Sequence, residues 1–103
     1  MIRELAPALA AGNGVIVKPA SLTPIISVEL FKLIDQVPHF PKGIVSIVTG
    51  PGQSIGAVMG SSKKIDMISF TGDTSTGKTI MRLPQATSKT GFGAGRQVAE
   101  CRV

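Results

Sequence analysis

The sequence contains no tryptophan and no tyrosine, and it has only one cysteine and one histidine. Each scarcity closes off a class of function. The formal net charge of +5 raises the question of nucleic acid. However, the cations Lys32, Lys42, Lys63, Lys64, Lys78, Arg82, Lys89, Arg96 and Arg102 are scattered, with no Trp or Tyr between them to stack on bases, so nucleic acid is not expected as a partner. Cys101 has no second cysteine to pair with, which suits a reducing, cytoplasmic compartment. His39 sits between Pro38 and Phe40 in a connector, and no second ligand-type residue lies at metal-site spacing, so no metal site is expected. No apolar run approaches the ~18 residues of a membrane span, and Glu4 and Pro7 break the amino-terminal apolar stretch that a signal peptide needs. The membrane is therefore not expected as a partner either.

With 103 residues, 43% of them hydrophobic, the chain can cover a single core. An Ala- and Leu-rich segment at 5–11 stops at Gly12-Asn13, which reads as a helix with a glycine stop. Gly14-Val15-Ile16-Val17-Lys18 is a short β-branched run that suits a strand buried on both faces. Pro19 ends it. Thr23 is positioned to cap the next helix, with Pro24 at its first position, and Ile26, Leu30, Leu33, Ile34 and Val37 recur at helical spacing. After the loop 38–43 comes a second strand candidate at 44–49, the turn Gly50-Pro51-Gly52 and a weak helix from Gln53 to about Gly60. A third strand at 65–70 leads into a helix at 74–83. Three strand–turn–helix units predict an α/β fold with a three-layer, parallel-sheet, Rossmann-like half-domain of order βαβαβα, incomplete as a sheet. In such sheets ligands bind beyond the carboxyl ends of the strands, where Lys18, Gly50-Pro51-Gly52 and Phe70 to Asp73 all fall.

Read literally, Gly72, Gly77, Lys78 and Thr79 satisfy the P-loop pattern of a nucleoside triphosphatase. That reading needs an aspartate on a later strand to hold magnesium, and after Thr79 the only acidic residue is Glu100. Asp73 would also place negative charge among amides meant to cradle phosphate. The turn belongs with a larger set of motifs. Pro7-Ala8-Leu9-Ala10-Ala11-Gly12-Asn13, Val17-Lys18-Pro19-Ala20 with Thr23-Pro24, Pro41-Lys42-Gly43-Ile44 leading to Val48-Thr49-Gly50-Pro51-Gly52 and Gly56, and Ile68-Ser69-Phe70-Thr71-Gly72 occur in order. Together they resemble the NAD(P)-dependent aldehyde dehydrogenase family, over most of the chain.

The resemblance implies an oxidoreductase that oxidises an aldehyde to a carboxylic acid with NAD or NADP through a cysteine thiohemiacetal. Residues 1–83 would be part of its cofactor-binding domain. It implies that Lys18, Pro19, Ala20 and Ser21 line the adenosine ribose, that Gly52 and Gly56 let the second turn and its helix approach the adenine side, and that Phe70, Thr71, Gly72 and Asp73 lie near the pyrophosphate and nicotinamide. The position of Ser21 is often Glu in NAD-preferring members, and serine removes that carboxylate's repulsion of a 2′-phosphate, so NADP is expected to be accepted as well. Asp73 stands where the family often has Ser, which puts a direct phosphate contact there in doubt. By the same resemblance, the oxyanion-stabilising Asn, the general-base Glu and the catalytic Cys belong to segments this chain does not contain. Cys101 lacks the surroundings of that nucleophile. The chain is thus expected to contribute cofactor binding alone and to be inactive by itself, with an aldehyde substrate engaged only by a full-length parent. A noncatalytic nucleotide-binding or structural α/β module is the alternative.

Residues 84–103 have neither periodicity nor a strand-length apolar run, and they are expected to form an irregular tail. The resembling family continues with Leu-Glu-Leu-Gly-Gly-Lys. Back-translating Gly91 to Cys101 and dropping one base permits that run, so the tail is expected to be out of frame from a point between about Met81 and Gly91. Open strand edges and apolar outer helix faces make self-association an expectation.

Overall fold

The structure, a computed structural model, describes residues 1–82, 90–92 and 99–102. The elements run α1 (Ile2–Ala10), β1 (Val15–Lys18), α2 (Ile25–Asp35), β2 (Val45–Ile47), α3 (Gly52–Ser61), β3 (Ile68–Phe70), α4 (Thr74–Met81), β4 (Thr90–Phe92) and β5 (Ala99–Arg102). One sheet holds all five strands in the order β2-β1-β5-β3-β4. β1 pairs in parallel with β2 and β3 with β4, while β5 is antiparallel to both β1 and β3. β1, β2 and β3 therefore point one way, as the three strand–turn–helix units predict, and β4 runs the same way.

Period-two alternation divides the core. Val15 and Val17 are buried on one face of the sheet with Leu5 of α1, beside Leu30, Phe31 and Ile34 of α2. Ile16 faces the other way, where Met59 of α3, Ile65 and Ile68 form a second cluster that Ile80 of α4 completes. The result is three layers, with α1 and α2 on one side and α3 and α4 on the other.

Three local expectations are corrected. α2 begins after Pro24, which occupies the N-cap with no side-chain hydrogen bond, so Thr23 does not cap it. The buried face of α2 is carried by Ser27, Leu30, Phe31 and Ile34, whereas Ile26, Leu33 and Val37 are 78%, 61% and 49% exposed. The helix is apolar on more than one side, so its spacing allows several phases, and contact with β1 and β2 selects one. The tail at 84–103, expected to be irregular, supplies the strands Thr90–Phe92 and Ala99–Arg102. Backbone pairing carries no requirement for a side-chain pattern, and the unpaired edges of β1 and β3 can template an extended segment of any sequence. The rest of the tail lies outside the described residues.

Candidate functional site

The three turns that follow β1, β2 and β3 converge on one cleft at the carboxyl ends of the strands. Its volume is about 560 Å³. The end of β1 and the turn after it contribute Lys18, Pro19, Ala20 and Ser21; α3 contributes Gly52 and Gly56; the end of β3 and the turn after it contribute Phe70, Thr71, Gly72 and Asp73. All of the site residues expected from the sequence therefore line a single space. Gln53, Ala57, Thr76, Thr79 and Ile80 line it too and were not anticipated. A helical signal for them exists: Gln53, Gly56 and Ala57 share one face of α3 at spacings of three and four, as do Thr76, Thr79 and Ile80 on α4.

The P-loop alternative fails on geometry. The segment that would have to loop around phosphate is the first turn of α4, which starts at Thr74, so Gly77 and Lys78 lie inside a helix. Lys78 is exposed and does not line the cleft.

At the first turn, the Lys18 ammonium donates to the Pro19 carbonyl at 2.7 Å and reaches the Ser21 hydroxyl at 3.4 Å. Ser21 Oγ in turn donates to the Gly50 carbonyl at 3.0 Å, which ties the first turn to the second across 29 residues. Gly50 has φ +144°, a conformation that residues with a Cβ rarely adopt. At Gly56 an added Cβ would meet nothing within 4 Å, and at Gly52 it would meet only the Lys18 ammonium at 4.0 Å. Neither glycine is required by packing within the chain. The missing side chains leave the floor of the cleft open, so that a ligand can come up against the backbone of α3.

The turn after β3 is closed differently. The Phe70 ring lies over Gly72, so close that a Cβ there would come within 2.6 Å of Cζ. Asp73 is the N-cap of α4, with φ −66° and ψ 142°, and its carboxylate accepts from the Ser75 amide at 2.9 Å and from the Ser75 hydroxyl. The hydrogen bonds from the Ser75 side chain and then its amide hold the carboxyl below its usual range, so Asp73 is ionised at neutral pH. The cleft is thereby polarised. On one side stand Lys18 and the N-terminus of α3, which has no side-chain cap. The Asp73 carboxylate enters the cleft from the turn after β3, which β5 separates from β1 in the sheet. Among the described residues no group of three or more His, Cys, Asp and Glu is placed to hold a metal ion, and no helix is long and apolar enough to cross a membrane.

A model of the aldehyde dehydrogenase family matches residues 1–95. Betaine aldehyde dehydrogenase of Bacillus subtilis is 46% identical over 79 residues, covering 77% of this chain and 16% of that protein. D-glyceraldehyde dehydrogenase (NADP(+)) of Picrophilus torridus is 46% identical over 81 residues, 79% of this chain and 16% of its own. Retinaldehyde dehydrogenase 3 of Rattus norvegicus is 47% identical over 77 residues, 75% and 15% respectively. The crystal structure of a betaine aldehyde dehydrogenase point mutant from Staphylococcus aureus, in complex with NAD+, superposes with a TM-score of 0.80 at 37% identity, covering 89% of this chain and 18% of that one. The chain thus spans about a sixth of the length of the curated relatives it matches. With the family model matched over nearly its whole length, and with the three turns arranged around one cleft at the ends of a parallel sheet, this chain belongs to the aldehyde dehydrogenase family.

Proposed function

We propose that this chain binds the dinucleotide of an NAD(P)-dependent aldehyde oxidation and does not itself carry out the oxidation. The observation that carries the reading is the convergence of Lys18 to Ser21, Gly52, Gly56 and Phe70 to Asp73 on one cleft. Lys18 has three donors to offer ribose hydroxyls, the open α3 N-terminus and its dipole favour a phosphate, and the glycine floor admits a flat ring against the backbone. A solved relative is in complex with NAD+, which supports the same ligand here. Equilibrium dialysis of the chain with NAD, NADP and ATP is the test. Binding of the two dinucleotides in preference to ATP is expected, and the absence of dinucleotide binding at millimolar concentration would leave the noncatalytic structural module as the reading. Mixed with an aldehyde and NAD, the chain alone is expected to form no NADH.

The relatives named for betaine aldehyde, retinaldehyde and D-glyceraldehyde resemble this chain at 46%, 47% and 46% identity. Similar identity to relatives named for three different aldehydes supports a role for this region in a step common to them.

Ser21 supports acceptance of NADP. It presents a neutral hydroxyl beside Lys18, and one relative is named as an NADP(+) enzyme. In the Ser21→Glu variant a carboxylate would oppose a 2′-phosphate and accept from ribose hydroxyls, so the affinity ratio of NADP to NAD is expected to drop about tenfold or more. An unchanged ratio would count against this role for Ser21.

Gly56 separates binding from stability. Its position is helical and an added Cβ has open space, so Gly56→Ala is expected to raise the unfolding free energy by up to about 1 kcal/mol. The same methyl enters the floor of the cleft and should weaken dinucleotide binding. A variant that gained stability and kept full affinity would show that the glycine face of α3 is not where the ligand rests.

Two further features fit a part that works within something larger. Leu22, Ile25, Ile26, Leu33 and Val37 are all exposed on and beside α2, which supports self-association in solution, readable by light scattering. The tail from 84 onward is proposed to be read out of frame. The codons for Gly91 to Cys101 test this, since codons that exclude Glu and Lys in the shifted frame would refute it.

A further inference from the structure

The cleft contains one group that works against the ligand proposed for it. Asp73 lines it, is ionised, and places its carboxylate on the Ser75 amide and hydroxyl at the start of α4. A phosphate drawn to that end would meet a negative charge and would find the Ser75 donors already taken. Lys18 lines the same cleft beside Gly52, at the end of β1, which β5 separates from β3 in the sheet. We propose that Asp73 is a specificity-determining residue that competes with phosphate for the α4 side of the cleft and so lowers the affinity for a dinucleotide. This inference rests on the dinucleotide reading above.

The N-cap chemistry supplies a clean test. Asp, Asn and Ser are comparable N-caps, so Asp73→Asn and Asp73→Ser remove the charge and keep the cap of α4. Calorimetric or dialysis titrations of the full chain and both variants would use NAD, and adenosine as a probe with no phosphate. Both variants are expected to bind NAD about five- to tenfold more tightly than the parent at low salt, with the gain shrinking as salt is raised, and adenosine affinity is expected to stay the same. Equal NAD affinity in parent and variants would overturn the inference while leaving the dinucleotide reading intact. A gain for adenosine as large as that for NAD would also overturn it, because the effect would then come from packing and not from charge. If neither the parent nor the variants bound NAD, both readings would fall. Circular dichroism of each variant, expected to match the parent, checks that the cap has been kept.

Discussion

Leu5→Ala is expected to lower the unfolding free energy by about 2–5 kcal/mol, the range for removing a fully packed leucine and leaving a cavity behind. Leu5 is 4% exposed and is the residue through which α1 closes over Val15 and Val17, themselves 2% and 1% exposed. The described core is small, with six buried apolar residues divided between two faces of the sheet. A domain of ordinary stability has only about 5–15 kcal/mol to lose, so this single truncation should broaden or abolish the cooperative transition. Denaturant unfolding followed by circular dichroism measures it. A midpoint within experimental error of the parent would mean that α1 is not held to the sheet as described. A matched change at an exposed apolar site, Ile26→Ala, should stay within about 0.5 kcal/mol, because that side chain is 78% exposed.

Gly50→Ala is the second large effect, and it couples the fold to the cleft. The backbone at Gly50 has φ +144°, a region that costs a residue with a Cβ about 1–3 kcal/mol. The new Cβ would also lie 2.8 Å from Ile55 Cδ1, and Ile55 packs against the cluster of Met59, Ile65 and Ile68. The tip of that isoleucine can move, so the backbone term should dominate. Any rotation of the peptide that relieves the strain turns the Gly50 carbonyl away from Ser21 Oγ and cuts the link between the first and second turns. The expected result is a loss of stability of about 1–3 kcal/mol together with weaker dinucleotide binding. Loss of stability with full affinity would show that the Ser21 link does not shape the cleft.

Much of the arrangement was legible in the sequence because it rests on local chemistry. The β-branched run at Val15 to Val17 favours a strand, and glycine and proline mark where each turn falls. The expected cleft residues, at the ends of β1 and β3 and at Gly52 and Gly56 of α3, came from the motifs that carry the family resemblance, whereas Gln53, Ala57, Thr76, Thr79 and Ile80 join them through the helices. The strands came out shorter than their apolar runs, Val45–Ile47 within 44–49 and Ile68–Phe70 within 65–70, since a strand ends where its neighbour stops pairing. Asp73 was legible in principle as well. An aspartate directly before Thr74-Ser75 at the start of a helix is an N-cap signal.

The sequence by itself determined the α/β class, the succession of elements from α1 to α4 and the three turns, which follow from residue type and spacing within about a dozen positions. The resemblance to the family rested on motifs recurring in order along most of the chain. Only the tertiary structure decided which side of α2 is buried, that Ser21 reaches Gly50, that the Asp73 carboxylate is spent on its own helix, and that residues 99–102 lie between β1 and β3. These depend on which surfaces and unpaired backbone groups meet across the fold. Helical periodicity leaves the phase of an all-round apolar helix open, and backbone hydrogen bonding is indifferent to the side chains it joins.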